Sequence, residues 1–163
     1  MTQTLALAAD HGGFELKREL LSWLQGKGYT VQDLGAHDLD PDDDFPDFSY
    51  AVAQRVASGR AWRGVIICGS GVGACVTANK VPGVRASVCH DIYSARQGVE
   101  HDDMNILCLG ARIIDPKLAR KLISAFLKAE FLNQERYQRR LNKLLSIENS
   151  FINLDTTTIT PNQ

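Results

Sequence analysis

Residues 64–74 read Gly-Val-Ile-Ile-Cys-Gly-Ser-Gly-Val-Gly-Ala, and this stretch decides the fold class. Its first part, residues 64–68, is a short apolar run, which is typical of a strand buried on both faces of a parallel sheet. Its second part places Gly69, Gly71 and Gly73 where a strand would turn into a helix. Glycines at such a turn leave backbone N–H groups free to converge on an anion. The stretch therefore predicts a strand, a tight turn and a helix, with a ligand at the turn.

The same alternation of apolar runs and amphipathic stretches extends along the chain in both directions. Four further apolar runs of strand length lie at residues 5–9, 30–34, 84–89 and 105–109. Helical patterns lie near residues 13–27, 46–58, 71–80, 91–100 and 116–129. This alternation predicts an α/β fold, a three-layer doubly wound (Rossmann-like) sheet of about five parallel strands. A last amphipathic stretch, residues 134–147, has no strand after it and predicts an extra C-terminal helix that packs on a partner subunit.

The length and composition favour one globular domain. The 163 residues suffice for one buried core and are too few for two ordinary domains, so we expect a single domain over residues 1–148 and a loose polar tail over residues 149–163. A net charge of −1 gives no reason to expect nucleic acid or an anionic membrane as a partner. The first apolar run has no basic leader and is too short to span a membrane, so we expect a cytoplasmic protein with reduced thiols.

Reactive side chains follow two of the predicted strands, at the carboxyl ends where open α/β sheets bind their ligands. Asp10 and His11 follow the first strand, although Asp10 is also explained as a helix cap. Cys68 ends the third strand near the positive end of the next helix, which favours its thiolate. A cysteine there is also explained as a small buried apolar residue. The glycines that follow Cys68 favour the functional interpretation.

The glycine turn also supports a protein of a different class. Gly69, Gly71 and Ala74 match the pattern G-x-G-x-x-A, and Asp91 follows the next strand, where a ribose-binding carboxylate would lie. That pattern normally opens the first βα unit of a dinucleotide-binding domain, whereas here it opens the third. A non-catalytic module that binds a nucleotide or phosphate therefore remains an alternative.

Three further groups of residues have both a functional and a structural explanation. His101 and Asp102 precede the fifth strand, at the edge of the sheet opposite to Cys68, so His101 would serve a neighbouring subunit or be ordinary surface. Arg136 and Arg140 are four residues apart and share a helical face that is either a phosphate grip or solvated surface. The acidic loop, residues 37–47, lacks the glycine and final glutamate of a calcium-binding loop and is interpreted as solvated.

Taken in order, these segments resemble the ribose-5-phosphate isomerase B family, which also includes allose- and galactose-phosphate isomerases. The resemblance extends over about residues 5–147. Its matching segments are Ala9-Asp10-His11-Gly12-Gly13, Phe45-Pro46-Asp47-Phe48, Ile67-Cys68-Gly69-Ser70-Gly71-Val72-Gly73, Ala78-Asn79-Lys80, Val84-Arg85-Ala86, Asp91-Ile92-Tyr93-Ser94-Ala95-Arg96, Glu100-His101 and Leu109-Gly110-Ala111-Arg112.

The resemblance implies an aldose–ketose isomerase that interconverts ribose 5-phosphate and ribulose 5-phosphate without a metal, nucleotide or other cofactor. It implies that Cys68 moves a proton between adjacent sugar carbons through an enediolate, and that Ser70 relays protons between the sugar oxygens. Backbone N–H groups of the turn would stabilise the negative charge of the enediolate. The resemblance thus assigns substrate contacts to Gly69, Ser70, Gly71, Val72 and Gly73.

The resemblance further implies a homodimer or a dimer of dimers whose active sites are shared between subunits. Asp10, together with His101 of the partner subunit, would act on sugar oxygens and open the sugar ring. His11 would hold the phosphate, together with three arginines of the partner subunit. Those arginines would be the partner's Arg112, the partner's Arg136 and the partner's Arg140.

Three positions depart from the family pattern. Phe45 replaces a usual tyrosine, and Tyr137 replaces a usual histidine. Asp102 replaces a usual asparagine and exchanges an amide that donates for a carboxylate that only accepts. None of these changes touches the predicted proton-transfer residues. The departures thus bear on the identity of the sugar and not on the reaction class. An isomerase of another sugar phosphate (allose, galactose or tetrose phosphate) is the alternative within this class.

Overall fold

The computed structural model describes residues 3–152, which alternate between strands and helices. The strands are β1 (Thr4–Ala9), β2 (Thr30–Asp33), β3 (Arg63–Cys68), β4 (Ala86–Val88) and β5 (Ile106–Gly110). The helices are α1 (Phe14–Gly26), α2 (Phe45–Ala57), α3 (Val72–Ala78), α4 (Ile92–Asp102), α5 (Pro116–Lys128) and α6 (Glu135–Ile152). A short 3-10 turn, His11–Gly13, joins β1 to α1.

The five strands form one parallel sheet in the order β2-β1-β3-β5-β4, which confirms the predicted fold class. β4 is shorter than the predicted run at residues 84–89. Its start is held by side chains, because Arg85 N–H donates to Asn105 Oδ1 at 2.8 Å and Ala86 N–H donates to Asn79 Oδ1 at 2.9 Å. The ladder with β5 accordingly begins only where Ala86 pairs with Ile106.

The sheet separates two apolar cores, because successive side chains of a strand point to opposite faces. On one face the odd-numbered positions of β1, such as Leu5 and Leu7, pack with residues of α1, α4 and α5. On the other face Ala6 and Ala8 pack with residues of α2 and α3. The central strands are covered on both sides, which accounts for their unbroken apolar sequences.

The strand order reverses beside β1, and this reversal positions the site. From β1 the chain leads through α1 to the edge strand β2, and then through α2 on the opposite face to β3. A crevice forms at such a switch point, outside the carboxyl ends of the two strands. Two loops meet there so closely that a Cβ on Gly12 would lie 3.0 Å from Gly69 N. Only a residue without a side chain fits at that contact without displacing the backbone.

The chain divides into two compact units, with the boundary between Phe131 and Leu132. In the second unit the described residues form α6, whose surface includes the exposed apolar side chains of Leu144, Ile147 and Phe151. Residues 149–152, which the sequence assigned to the tail, continue α6, and Ser150 Oγ there donates to Ile147 O at 2.7 Å. The rest of the predicted tail lies outside the described residues. Within residues 3–152, no helix is both long and apolar enough to cross a membrane.

Candidate active site

A cleft of about 290 Å³ opens at the carboxyl ends of β1 and β3, where the sequence predicted a ligand. Two loops supply most of its wall, and the start of α2 and the loop after β5 supply the rest. It is lined by Asp10, His11, Gly12, Phe45, Cys68, Gly69, Ser70, Gly73, Arg112 and Ile113. The fold thus brings together the reactive residues that follow β1 and those that follow β3.

Cys68 is the last residue of β3 and is only 5% exposed. Its Sγ accepts a hydrogen bond from the Gly71 N–H at 3.1 Å. An N–H group that points at sulfur stabilises negative charge there, and the thiolate is the form of cysteine that acts as base or nucleophile. The structure therefore places a backbone N–H group at the sulfur of a cysteine that lines the cleft.

The turn after Cys68 uses two of the N–H groups that the sequence interpretation left free for an anion. Gly71 N–H is directed at Cys68, and Val72 N–H donates to Ser70 Oγ at 3.3 Å. Gly71 has a φ of +85°, which favours glycine, and a Cβ there would lie 3.1 Å from the carbonyl carbon of Leu109. The turn therefore directs some of its N–H groups to side chains of the turn itself and leaves the others for a ligand.

Asp10 both caps the turn after β1 and lines the cleft, so its two explanations hold together. Its Oδ1 accepts from Gly13 N–H at 3.0 Å, and the residue is 7% exposed. Burial raises the pKa of the Asp10 carboxyl, while the hydrogen bond from Gly13 and the charge of His11 act in the opposite direction. A carboxyl group with a raised pKa in a cleft is a candidate for proton transfer.

His11 is held by Asp43, a residue of the acidic loop that the sequence interpretation treated as solvated. Asp43 Oδ1 accepts from the backbone N–H of His11 at 2.9 Å and lies 2.6 Å from its Nδ1. The hydrogen bond to Asp43 raises the pKa of His11, against the opposing effect of burial. Nothing in the sequence distinguishes Asp43 from the other aspartates of residues 37–47, so this contact was missed.

Arg112 lies in the cleft of its own chain, whereas the resemblance assigned the phosphate contact to the partner's Arg112. Its backbone N–H donates to Gly69 O at 3.0 Å, and a Cβ on Gly69 would lie 3.4 Å from its Cζ. The guanidinium therefore lies against the glycine turn, in the same cleft as Cys68. Phe45 packs its ring against Gly73 at the other side of the cleft, and Ile113 is a lining residue that the sequence did not indicate.

Six predicted site residues are not among those that line this cleft. Gly71 and Val72 belong to the glycine turn, where their N–H groups donate to Cys68 and Ser70, and the other four lie on α4 and α6. His101 is in the last turn of α4, where its Nδ1 is 2.7 Å from Gln97 Nε2, and Asp102 is the exposed last residue of that helix. Both precede β5 and so lie at the amino edge of the sheet, as expected from the sequence. Arg136 and Arg140 are exposed on α6, in the second compact unit.

Asp91, the residue that suggested a ribose-binding acid, caps α4 instead. Its Oδ1 accepts from Ser94 N–H at 2.8 Å and its Oδ2 from Ser94 Oγ at 2.7 Å. These hydrogen bonds lower the pKa of its carboxyl. Both oxygens therefore have a structural role, and the dinucleotide-binding alternative loses the acidic residue on which it depended.

The other three thiols differ from one another in their environments. The thiol of Cys108 donates a hydrogen bond to Cys75 and lowers its pKa to about 7, against the opposing effect of burial. The pKa of Cys108 itself is raised by that hydrogen bond and by burial, and burial raises the pKa of Cys89 to about 11. Cys75 is therefore the thiol outside the cleft that reacts most readily, which matters for any alkylation experiment.

The model of the ribose/galactose isomerase family matches residues 5–144, which include every cleft residue described above. The chain belongs to this family. It is an isomerase of the ribose-5-phosphate isomerase B type, with the five-stranded parallel sheet of that family's solved structures. The predicted family and the predicted fold are both confirmed.

Relatives of this isomerase carry more than one substrate name. The D-erythrulose-4-phosphate isomerase of Pectobacterium atrosepticum is 40% identical over 128 residues, which are 78% of this chain and 84% of that protein. Ribose-5-phosphate isomerase B of Escherichia coli is 38% identical over 144 residues, 88% of this chain and 95% of that protein.

Solved structures of the family match the fold closely. Ribose-5-phosphate isomerase B of Clostridium thermocellum has a TM-score of 0.88 at 44% identity, and the match covers 91% of this chain and 99% of that one. The Mycoplasma genitalium enzyme, solved with bound ribulose-5-phosphate, has a TM-score of 0.87 at 38% identity over 91% of this chain and 98% of that one.

Proposed function

We propose that this isomerase interconverts ribose 5-phosphate and ribulose 5-phosphate, with Cys68 as the base. The observation that carries the proposal is the convergence of Asp10, His11, Cys68 and Ser70 on one cleft at the switch point between β1 and β3. The cleft offers a confined thiol, a carboxyl with a raised pKa, and His11 to hold the phosphate. The relatives named for pentose phosphates, and the ribulose-5-phosphate bound to one of them, support the choice of substrate.

In this mechanism Cys68 takes a proton from C2 of the open-chain aldose, and the electrons move to O1 to form an enediolate. Return of the proton to C1 then gives the ketose, so no atom is gained or lost. Ser70, exposed at the turn, exchanges a proton between O1 and O2. The remaining N–H groups of the turn, with Arg112 above Gly69, stabilise the developing negative charge. Asp10 serves the ring oxygen, because its carboxyl lines the same cleft as Cys68 and burial raises its pKa.

The substrate contacts of His101 belong to a neighbouring subunit in this proposal. β3 and β5 pair so that Gly64 lies beside Ile106 and Cys68 beside Gly110. Four residues of strand, roughly 13 Å, therefore separate the start of β5 from the level of Cys68, and His101 lies before that start. A pentose phosphate cannot touch both residues of one chain. A dimer with a two-fold axis places the His101 of each subunit at the cleft of the other.

Isomerisation of D-erythrulose 4-phosphate is the second candidate function. The Pectobacterium relative of that name is as similar to this chain as the pentose-phosphate isomerases are. Asp102, which replaces the usual asparagine next to His101, also favours a changed sugar preference. The carboxylate accepts hydrogen bonds only, so a sugar hydroxyl must donate to it.

A substrate panel decides between the two candidates. Purified protein is assayed for aldose–ketose conversion with ribose 5-phosphate, allose 6-phosphate, galactose 6-phosphate and D-erythrulose 4-phosphate. The proposal predicts the highest kcat/KM for ribose 5-phosphate. A higher value for the four-carbon substrate would support the second candidate, and no conversion of any sugar phosphate would refute both.

A further inference from the structure

The contact between His11 and Asp43 ties the acidic loop to the cleft. Asp43 Oδ1 faces both the backbone N–H and the Nδ1 of His11, at 2.9 and 2.6 Å. The two residues are 32 positions apart in sequence, so the contact forms only in the folded chain. One carboxylate oxygen thus fixes both the backbone and the ring of a residue that lines the cleft.

Because of this contact, the charge of His11 decides whether its Nε2 repels or binds an anion. A carboxylate only accepts hydrogen bonds, so Nδ1 carries a proton. In a neutral imidazole with that proton, Nε2 presents a lone pair and repels an anion. In the imidazolium, Nε2 carries a second N–H and donates to an anion. Protonation therefore switches the ring from repelling a phosphate oxygen to binding one.

The burial of Asp43 favours the charged ring. Its side chain is 9% exposed, and Oδ2 is buried without a hydrogen-bond partner among the residues that the structure describes. A desolvated carboxylate is costly unless a cation accompanies it. Both hydrogen bonds to Oδ1 come from His11, so an imidazolium at this position supplies the countercharge.

The loop that carries Asp43 is anchored at its start. The buried Lys17 donates to Asp33 Oδ1 at 2.7 Å and to Ala36 O at 2.6 Å. Ala36 N–H in turn donates to Ala9 O at 2.6 Å, directly before Asp10. α2 begins at Phe45, two residues after Asp43. The loop is thus anchored at Ala36 and ends at α2, and within it Asp43 N–H donates to Asp40 O at 3.2 Å.

We propose that Asp43 is a positioning residue that keeps His11 protonated and presents its Nε2 to the phosphate of the substrate. Through His11 the acidic loop contributes to anion binding, although the loop itself contains no lysine or arginine. This inference rests on the proposed function, in which His11 holds the phosphate.

The groups around His11 set the direction of its titration. Asp43 in the loop raises the pKa of His11 by its hydrogen bond, burial lowers it, and the charge of Asp10 raises it. Cys68 at the end of β3 and Arg112 after β5 share the cleft with His11. Because the pKa is raised, anion binding through His11 is present at low pH and is lost as the pH increases through that pKa.

Asp43→Asn tests the proposal without removing the contact. Asparagine keeps an acceptor oxygen for both N–H groups of His11 but has no charge. We expect inhibition by sulfate to weaken about tenfold near neutral pH, the loss of one charged contact. We also expect its dependence on pH to move to lower pH. Sulfate is the probe because its charge is constant over this range, whereas the phosphate of a sugar titrates near about pH 6. The KM for the sugar phosphate should increase as the inhibition constant for sulfate does, with a much smaller change in kcat.

Asp42→Asn is the matched control, because it removes the same charge from an exposed neighbouring position. It should leave the pH dependence of sulfate inhibition unchanged.

NMR titration of the His11 ring, assigned by its absence in His11→Gln, measures the pKa of His11 without turnover. This pKa should decrease in Asp43→Asn and not in Asp42→Asn. An unchanged His11 titration in Asp43→Asn would overturn the proposal. So would a lowered pKa with unaltered sulfate inhibition. If the pKa of His11 falls and sulfate inhibition, measured with whichever sugar phosphate is converted, weakens as expected, but no pentose phosphate is converted, then the proposed substrate is wrong and the role of Asp43 stands.

Discussion

At the scale of single residues, the cleft combines groups that are ordinary in isolation and reactive in this arrangement. Cys68 ends a buried strand, receives an N–H bond from Gly71 and shares the cleft with Asp10, whose pKa is raised by burial. A thiolate stabilised by backbone N–H groups is a competent base for a carbon acid. The proposed chemistry therefore depends on Cys68 more than on any other side chain.

Cys68→Ser should preserve the fold and lower kcat by about 10²–10⁴-fold, the usual contribution of a general base. Serine occupies nearly the same volume, but its hydroxyl is a far weaker base than a thiolate. The loss should appear in kcat of ribose 5-phosphate conversion, with little change in KM. Cys75→Ser is the matched control and should retain kcat. A near-normal kcat in Cys68→Ser would remove this residue from the mechanism.

Sequence reasoning found the reactive residues that directly follow β1 and β3, but it missed Asp43, which contacts the cleft residue His11 from a distant loop. Asp10 and Cys68 were predictable because a strand end in an α/β sheet has a known place relative to the ligand. Asp43 was not, because it is one of several aspartates in residues 37–47 and its role appears only through a contact 32 residues away. Local patterns carry no information about which member of such a loop turns inward.

At the scale of elements, the turn between β3 and α3 is the part of the fold that most directly shapes the site. Its conformation directs Gly71 N–H toward Cys68 and seats Arg112 over Gly69. The alternation of strand and helix in the sequence predicted this turn. It did not predict the sheet order β2-β1-β3-β5-β4, since the order depends on the face to which each connection crosses.

Gly71→Ala should destabilise the protein and also lower kcat. Its φ of +85° costs an L-residue about 1–3 kcal/mol, and the new Cβ would lie 3.1 Å from the Leu109 backbone and from Val88. Gly83→Ala is the matched control, because Gly83 has a φ of +82° but no atom within 4 Å of the new Cβ. Chemical denaturation should show a smaller loss of stability in Gly83→Ala than in Gly71→Ala. Activity assays should show an unchanged kcat in Gly83→Ala. Equal effects of the two substitutions on kcat would mean that the turn does not position Cys68.

The basic face of α6 is the second element with a proposed role. In the proposed shared site these exposed arginines hold the phosphate in the cleft of the other subunit. Arg136→Ala and Arg140→Ala should therefore each raise KM and weaken sulfate inhibition, with a loss of about 2–5 kcal/mol for a charged contact that the dimer buries. The exposed Arg139 lies on the same helix and provides the control, since Arg139→Ala removes an equal charge from a neighbouring position. If all three substitutions have the same small effect, the face is solvated surface and the phosphate is held elsewhere.

At the scale of the whole molecule, the parallel sheet has two chemically different edges. Cys68 lies at the carboxyl edge and His101 before the amino end of the adjacent strand, roughly a strand length away. The sequence already placed the two residues at opposite edges, because strand direction follows from the predicted parallel sheet. A site that needs both must be completed by a second copy of the chain, which is the central claim of this account.

Refolding of mixed inactive variants tests that claim most directly. Cys68→Ala and His101→Ala proteins, each nearly inactive alone, are unfolded and refolded as an equal mixture. Random pairing gives about half mixed dimers, each with one intact site and one doubly altered site. If the site is shared, about a quarter of the wild-type rate of ribose 5-phosphate conversion returns. Verified mixed dimers that remain inactive would contradict the shared site.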